Sequence, residues 1–391
     1  MREVYVDNNA TTRVAPEVLE EMLPYFCDLY GNPSSVHRFG GKVGEKVREA
    51  RERVADLLQA HPDEIVFTSC GTESDNAAIR GTLASYPEKR HIVTTKVEHP
   101  AVLNLCRYLE GKGYEVTYLS VDNKGMVDLD ELREAITDDT ALVSIMYANN
   151  ETGVIFPIEE VGEIVKQRGI VFHCDAVQAV GKISTDMRSS TIDLLSLSGH
   201  KLHAPKGIGA LYMRRGVGFV PYFIGGHQEG GRRGGTENVP SIVGLGKACV
   251  LAKETMAEEQ QRIEALRDRL EKRILERVPG VLINGHRARR LPNTTNMSFE
   301  AVEGEAVLLM LSEEGIAASS GSACSSGEPE PSHVLMSMGV PYAAIHGTVR
   351  FSLGRYNTEE EIDYILEKLP PIIQRLREIS PDWSEGKRAA G

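Results

Sequence analysis

The segment Ser198-Gly199-His200-Lys201 carries the residue types of a carbonyl-trapping site. It follows the apolar run Leu194–Leu197 and precedes a glycine-rich run, residues 205–212. A lysine amine becomes a useful nucleophile only when burial or nearby positive charge lowers its pKa. A lysine just past a buried strand meets that condition. The Ser198 hydroxyl and the His200 imidazole can hold an anion beside it. An aldehyde on Lys201 and a phosphate on its neighbours describe pyridoxal 5'-phosphate (PLP), bound as a Schiff base.

The elements around this lysine bring further polar groups. Short β-branched runs at Ile65–Thr68, Ile92–Thr95, Leu142–Tyr147, Ile170–His173, Leu194–Leu197 and Gly209–Met213 predict strands. Helical patterns lie between them, as at Pro157–Arg168. In Lys42–Gln59, the residues Val43, Val47, Ala50, Val54 and Leu57 recur at helical spacing. Strand–helix alternation predicts an α/β fold with a mostly parallel, buried sheet. Functional groups of such sheets gather beyond the carboxyl ends of the strands. Gly71-Thr72 stands there at a helix start, able to offer N–H groups and a hydroxyl to a phosphate. His99, Asn149-Asn150-Glu151, the pair Asp175 and Gln178, and Ser198 with His200 and Lys201 follow the next strands.

The chain has 391 residues, enough for two domains and a large core. Its net charge of −12 disfavours general nucleic-acid binding, which depends on neutralising phosphates. No apolar run approaches membrane-spanning length, and residues 1–4 show no signal-peptide pattern, so a cytoplasmic protein is expected. The charged helical segment Ala257–Val278 reads as a connection to a second domain. That domain holds strands at Asn296–Phe299 and Thr348–Ser352 and a helix at Gly304–Glu314. Thr358 and Glu361 predict a capping box opening a last helix, which Pro370-Pro371 should break or kink.

Six cysteines without a CxxC pair predict free thiols rather than a zinc knuckle. Cys70 and Cys174 end apolar runs and read as core. Cys324 lies in the Ser/Gly-rich segment 319–327 and reads as an exposed, reactive thiol on a mobile loop. His200 and His203 have no third ligand within sequence reach, so no metal is expected.

Together these motifs resemble the group I cysteine desulfurases, the NifS/IscS type of the fold-type I PLP enzymes. The likeness runs from Asp7-Asn8-Asn9-Ala10-Thr11-Thr12 to Arg350-Phe351-Ser352. It includes Gly71-Thr72-Glu73-Ser74, Glu98-His99, Asn149–Gly153, Asp175-Ala176-Val177-Gln178-Ala179, Ser198–Lys201 and Ser320–Cys324. The runs His200–Gly207 and Gly153–Ile158 are closer to nitrogen-fixation NifS proteins. Ser325 departs from the threonine that relatives often carry, without touching a catalytic position.

The resemblance implies an α/β fold of the fold-type I PLP-dependent transferases. A large domain, residues 15–257, would hold a mostly parallel seven-stranded sheet. A smaller α+β domain, residues 1–14 and 258–391, would carry the catalytic-cysteine loop, and the enzyme would be a homodimer. Lys201 would bind the PLP aldehyde. Asp175 would pair with the pyridinium nitrogen, Gln178 with the ring phenolate oxygen, and His99 would stack on the ring and exchange protons. Thr72, Ser198 and His200 would hold the phosphate, with Thr236 supplied by the other subunit. Asn150 and Arg350 would hold the substrate carboxylate. Cys324 would take sulfur from L-cysteine as a persulfide, leaving L-alanine. An iron–sulfur scaffold protein would receive the sulfur, with nitrogenase as a destination, and Cys324 would touch a cluster only in passing.

Overall fold

The computed structural model describes residues 2–320, 331–381 and 383. In chain order, the elements that build the larger sheet are α1 (Arg38–Leu58), β1 (Ile65–Thr68), α2 (Gly71–Ser85), β2 (His91–Thr95), α3 (Pro100–Glu110), β3 (Glu115–Leu119), β4 (Thr140–Ser144), α4 (Ile158–Gln167), β5 (Val171–Asp175), β6 (Leu194–Ser198) and β7 (Gly209–Met213). The strand order is β1-β7-β6-β5-β4-β2-β3. From β6 through β3 every pairing is parallel, while β7 runs antiparallel to both β6 and β1. This is the mostly parallel seven-stranded α/β sheet expected. Strands β1, β2 and β4 to β7 are buried along their whole length, as a sheet covered by helices on both faces requires. The strand that sequence reading missed is β3. It sits at the sheet edge, only Leu119 is buried, and Glu115-Val-Thr-Tyr lacks the continuous apolar run of its neighbours.

Helix α1 buries the stripe read from its spacing: Val43, Val47, Ala50, Val54 and Leu57. Each valine or leucine of the stripe contributes about 1.5–3 kcal/mol when fully buried. The stripe packs on α5 (Val239–Arg277), where Gly246 lets the two backbones meet. A Cβ at Gly246 would stand 2.8 Å from Ala50 Cα.

The connecting helix expected from Ala257 is in fact the second half of α5, one helix of 39 residues. Its first half buries Ile242, Leu245, Ala248 and Cys249 with the core of the large sheet. Its second half buries Ile263, Leu266, Leu270 and Ile274 in a separate cluster with Val4, Val6, Phe299 and Phe351. That cluster lies on a three-stranded antiparallel sheet, β8 (Val281–Asn284), β9 (Thr294–Phe299) and β10 (Thr348–Ser352), in the order β10-β9-β8.

The last helix, α6 (Glu359–Ile379), opens with the capping box read from Thr358 and Glu361. The break expected at Pro370-Pro371 is not seen, and the helix runs through both prolines. Pro370 cannot donate to Leu366 O, the carbonyl four residues before it. Arg277 Nη1 donates to that oxygen instead, at 3.1 Å, so this carbonyl keeps a partner as the helix continues.

Two strand ends differ from the sequence reading in ways that aim side chains. Strand β5 extends to Asp175, which pairs in register with Ser196 of β6. The regular ladder of β4 stops at Ser144, three residues before Tyr147. Ile145 N and Tyr147 N still donate to His173 O (3.1 Å) and Asp175 O (2.8 Å), so the chain stays beside β5 up to the asparagine turn.

Candidate active site

The carboxyl ends of β1, β2, β4, β5 and β6 open into one cavity of about 270 Å³. Nine of the eleven residues singled out line it: Thr72, His99, Asn150, Asp175, Gln178, Ser198, His200, Lys201 and Arg350. Lys201 ends a single 3-10 turn, Gly199–Lys201, directly after β6. Its Nζ donates to Asn9 O and to Ala10 O (2.8 Å). The N-terminal turn that carries Asn9 and Ala10 therefore forms part of the cavity wall. Asn9 and Ala10 were read only as a motif, not as site residues.

His99 is the N-cap of α3, and its Nδ1 accepts from Ala101 N at 3.1 Å. Nε2 is then the ring nitrogen left for proton exchange in the cavity. Burial lowers the His99 pKa below the ordinary histidine value, although Asp175 pulls the other way. Burial likewise raises the Asp175 carboxyl above the ordinary carboxylate range against the pull of His99. Mutual attraction would move both shifts oppositely, so desolvation outweighs the pairing for each group. Asp175 Oδ1 accepts from Val177 N at 2.9 Å, which holds the carboxyl at the strand end.

A second buried carboxylate, Asp75, also lines the cavity. It lies three residues after Thr72 on α2, hence on the same helix face, a spacing that could have revealed it. Burial raises its pKa well above the ordinary value, with Asp175 adding to the shift. His173 Nε2 lies 3.6 Å from Asp75 Oδ1. Burial pushes the His173 pKa down to about 3, so the ring stays neutral and hydrogen-bonds Ser144 Oγ (2.8 Å) and Ser196 Oγ (3.0 Å). Cys70, expected in the core, is instead half-buried at the N-cap of α2 and lines the cavity, because the chain turns there from β1 into the helix.

These residues fit PLP. Ser198 Oγ is buried and has no hydrogen-bond partner among the described residues. Helix α2 begins beside it with no side-chain cap, so its first N–H groups remain available to a phosphate. Asp175 offers a carboxylate and Lys201 an amine on the same cavity. His200 Nδ1 lies 3.1 Å from Thr11 Oγ1, and burial with Lys201 beside it pushes its pKa down to about 4. A neutral His200 can contribute a hydrogen bond to an anion but not a full charge.

Arg350, in β10, reaches the cavity from the other sheet. Its Nη1 donates to Asn150 O (2.8 Å) and its Nη2 to Asp7 Oδ1 (2.7 Å), while Nε is buried and unpartnered among the described residues. The remaining two of the eleven are Thr236 and Cys324. Thr236 lines a separate pocket with Ser69, Glu229 and Arg233. Cys324 lies outside the described residues. On either side of its segment, Ser319 pairs with the Arg350 backbone, Ser332 Oγ donates to Glu151 Oε2 (2.5 Å), and His333 Nε2 lies 3.0 Å from Glu98 O.

Fold and site together define a PLP enzyme of the aminotransferase class-V family, whose model matches residues 4–365. A cysteine desulfurase from Trichormus azollae is 62% identical over 384 residues, 97% of this chain and 95% of the relative. Cysteine desulfurase NifS from Azotobacter vinelandii is 57% identical over 385 residues, 98% of this chain and 96% of the relative. A solved structure described as a NifS-like protein superposes with a TM-score of 0.91 at 43% identity, covering 96% of this chain and 100% of that one. The chain belongs to the cysteine desulfurases of this family, PLP-dependent sulfurtransferases.

Proposed function

We propose that the cavity residues act on L-cysteine in the roles their geometry allows, and that Cys324 carries the sulfur away. The convergence of nine separately read side chains on one cavity supports this reading most strongly. The chemistry PLP supplies when bound is an aldehyde for the substrate amine and a ring that draws electron density from the substrate carbons. Lys201 would hold PLP through its amine. Thr72, Ser198, His200 and the start of α2 hold the phosphate. Asp175 would pair with the ring nitrogen, and a positive charge there would favour the ionised carboxylate that burial alone disfavours. Gln178 offers an N–H to the ring oxygen. Arg350 and Asn150 hold the substrate carboxylate, with Arg350 kept in place by Asp7. His99 exchanges protons with the substrate at Nε2.

Cys324 then attacks the substrate sulfur as a thiolate. A sulfur–sulfur bond forms as the substrate Cβ–S bond breaks. The electron pair of the broken bond goes to Cβ, which takes a proton, so L-alanine leaves and Cys324 keeps a persulfide. An iron–sulfur scaffold protein is the proposed acceptor. A role in nitrogenase maturation is suggested by the NifS name of the relative from Azotobacter vinelandii.

The separate cluster on the three-stranded sheet supports a large part, residues 15–257, and a smaller part, residues 1–14 and 258–391, with Val334, Leu335, Met338 and Ile345 of the smaller part packing into the core of the large sheet. A homodimer accounts for Thr236 lying outside the cavity of its own chain. Exposed Phe26, Tyr30, Val36, Phe223 and Ile224 offer apolar surface for it. Gly234 N donates to Phe223 O at 2.9 Å, so the Thr236 segment borders that surface. No helix among the described residues is long and apolar enough to cross a membrane, and a cytoplasmic enzyme is proposed.

Mass spectrometry of the Cys324 peptide after incubation with L-cysteine tests the reading. One added sulfur atom is expected, and Cys324→Ala should load PLP but form neither alanine nor persulfide at the normal rate. Normal turnover by Cys324→Ala would overturn the mechanism.

A further inference from the structure

Lys182 is a buried-side lysine that the proposed reaction leaves without a role. Its Nζ donates to Gln178 Oε1 at 2.7 Å. At the other end of the same amide, Gln178 Nε2 donates to Asn9 O at 2.9 Å. A backbone carbonyl can only accept, so the amide nitrogen must face Asn9 and the amide oxygen must face Lys182. With Oε1 turned to Lys182, the donor Gln178 has left for the cavity it lines is the second N–H on Nε2. Asn9 O also accepts from Lys201 Nζ. Lys182, Gln178, Asn9 and Lys201 thus form one chain of hydrogen bonds along the cavity wall.

Lys182 approaches from behind that wall. It lines a second, smaller cavity of about 50 Å³ with Lys201, Asn8, Thr12 and Asn293. Gly181, at φ +79°, turns the chain so that Lys182 folds back over Gln178, in a conformation that L side chains rarely adopt. Gln260 Nε2 donates to Lys182 O at 2.6 Å and holds the turn. Burial drives the Lys182 pKa well down, and Lys201 and Arg350 push it the same way. A neutral amine still donates an N–H, so the bond to Gln178 does not depend on charge.

We propose that Lys182 is a positioning residue: it holds the amide oxygen of Gln178 so that Gln178 presents an N–H, not a C=O, to the ring oxygen of PLP. The proposal rests on the reading of Gln178 as a PLP contact given above. Without Lys182, the amide oxygen loses its donor and the side chain is free to rotate away from the ring.

The test is a double-mutant cycle on purified enzyme stripped of PLP and titrated back with it. Two readouts are taken at one pH: the PLP dissociation constant and the visible absorption maximum of the loaded enzyme. Gln178→Leu should weaken PLP retention about tenfold, the equivalent of one hydrogen bond to a charged group, and move the maximum. Lys182→Met, with a side chain of similar length, should weaken retention about three- to tenfold and move the maximum in the same direction. Lys182→Leu is a second variant, and either one that folds suffices. The double variant should match Gln178→Leu alone in both readouts. If Lys182 variants keep the wild-type maximum and affinity while Gln178→Leu shifts both, the positioning role is wrong. Full additivity of the two losses would also overturn it. If Gln178→Leu shifts neither readout, the failure lies in the assignment of Gln178.

Discussion

Replacing Ser198 by alanine separates a cofactor-binding hydroxyl from a structural one. Ser198 Oγ is buried and has no hydrogen-bond partner among the described residues. Ser198 lines a cavity of about 270 Å³, roomy enough for water. In the protein without PLP the hydroxyl has no partner to lose among the described residues, so its removal should change unfolding free energy by less than about 1 kcal/mol. In the loaded protein the hydroxyl would donate to a phosphate oxygen. A hydrogen bond to a charged group contributes about 1.5–3 kcal/mol, so PLP retention should weaken roughly ten- to hundredfold. The assay is a PLP titration of stripped enzyme, paired with urea unfolding of the same stripped enzyme. The reverse pattern would refute the argument: stripped enzyme destabilised by several kcal/mol with PLP affinity unchanged would make Ser198 a packing residue.

Two other perturbations follow from the same geometry. Arg350→Gln removes the cation that Asp7 and Asn150 hold over the cavity. The kcat/KM for L-cysteine should fall about a hundredfold or more, mainly through KM, while PLP retention stays near normal; a loss confined to kcat would argue against carboxylate binding. Glu98 is fully buried, and burial pushes its carboxyl from 4.5 up to about 8. Because the folded value is the higher one, its contribution to stability is complete below about pH 4.5 and is lost as pH rises through about 8. Glu98→Gln should flatten the fall in urea midpoint of the stripped enzyme over that window, and an unchanged slope would show that Glu98 is not the titrating group.

Much of the site was legible along the chain. In a βα unit the strand delivers its next polar residue to the carboxyl edge of the sheet, so Thr72, His99, Asp175, Gln178, Ser198, His200 and Lys201 could be placed from local pattern alone. The stripe of α1 and the Thr358 capping box were equally local, since each depends on neighbours within a turn or two. What local pattern could not show is which distant segments close the site. Asp7 and Arg350 are 343 residues apart and meet at 2.7 Å. Asn9 and Ala10 hold Lys201 from nearly 200 residues away. Asp75, one helical turn from Thr72, was within reach of local pattern, but Lys182 meets Gln178 only through the turn at Gly181.

The same division runs through the fold. Composition and strand–helix alternation determined a buried, mostly parallel sheet. Only packing decided that α5 would run as one helix through two cores, and that Arg277 would replace the donor Pro370 lacks. Periodicity reports the face a segment must bury. Which partner buries it, and which unsatisfied polar atom meets which donor, is settled when segments far apart in sequence compete for the same space, because a buried polar group without a partner is too costly to keep.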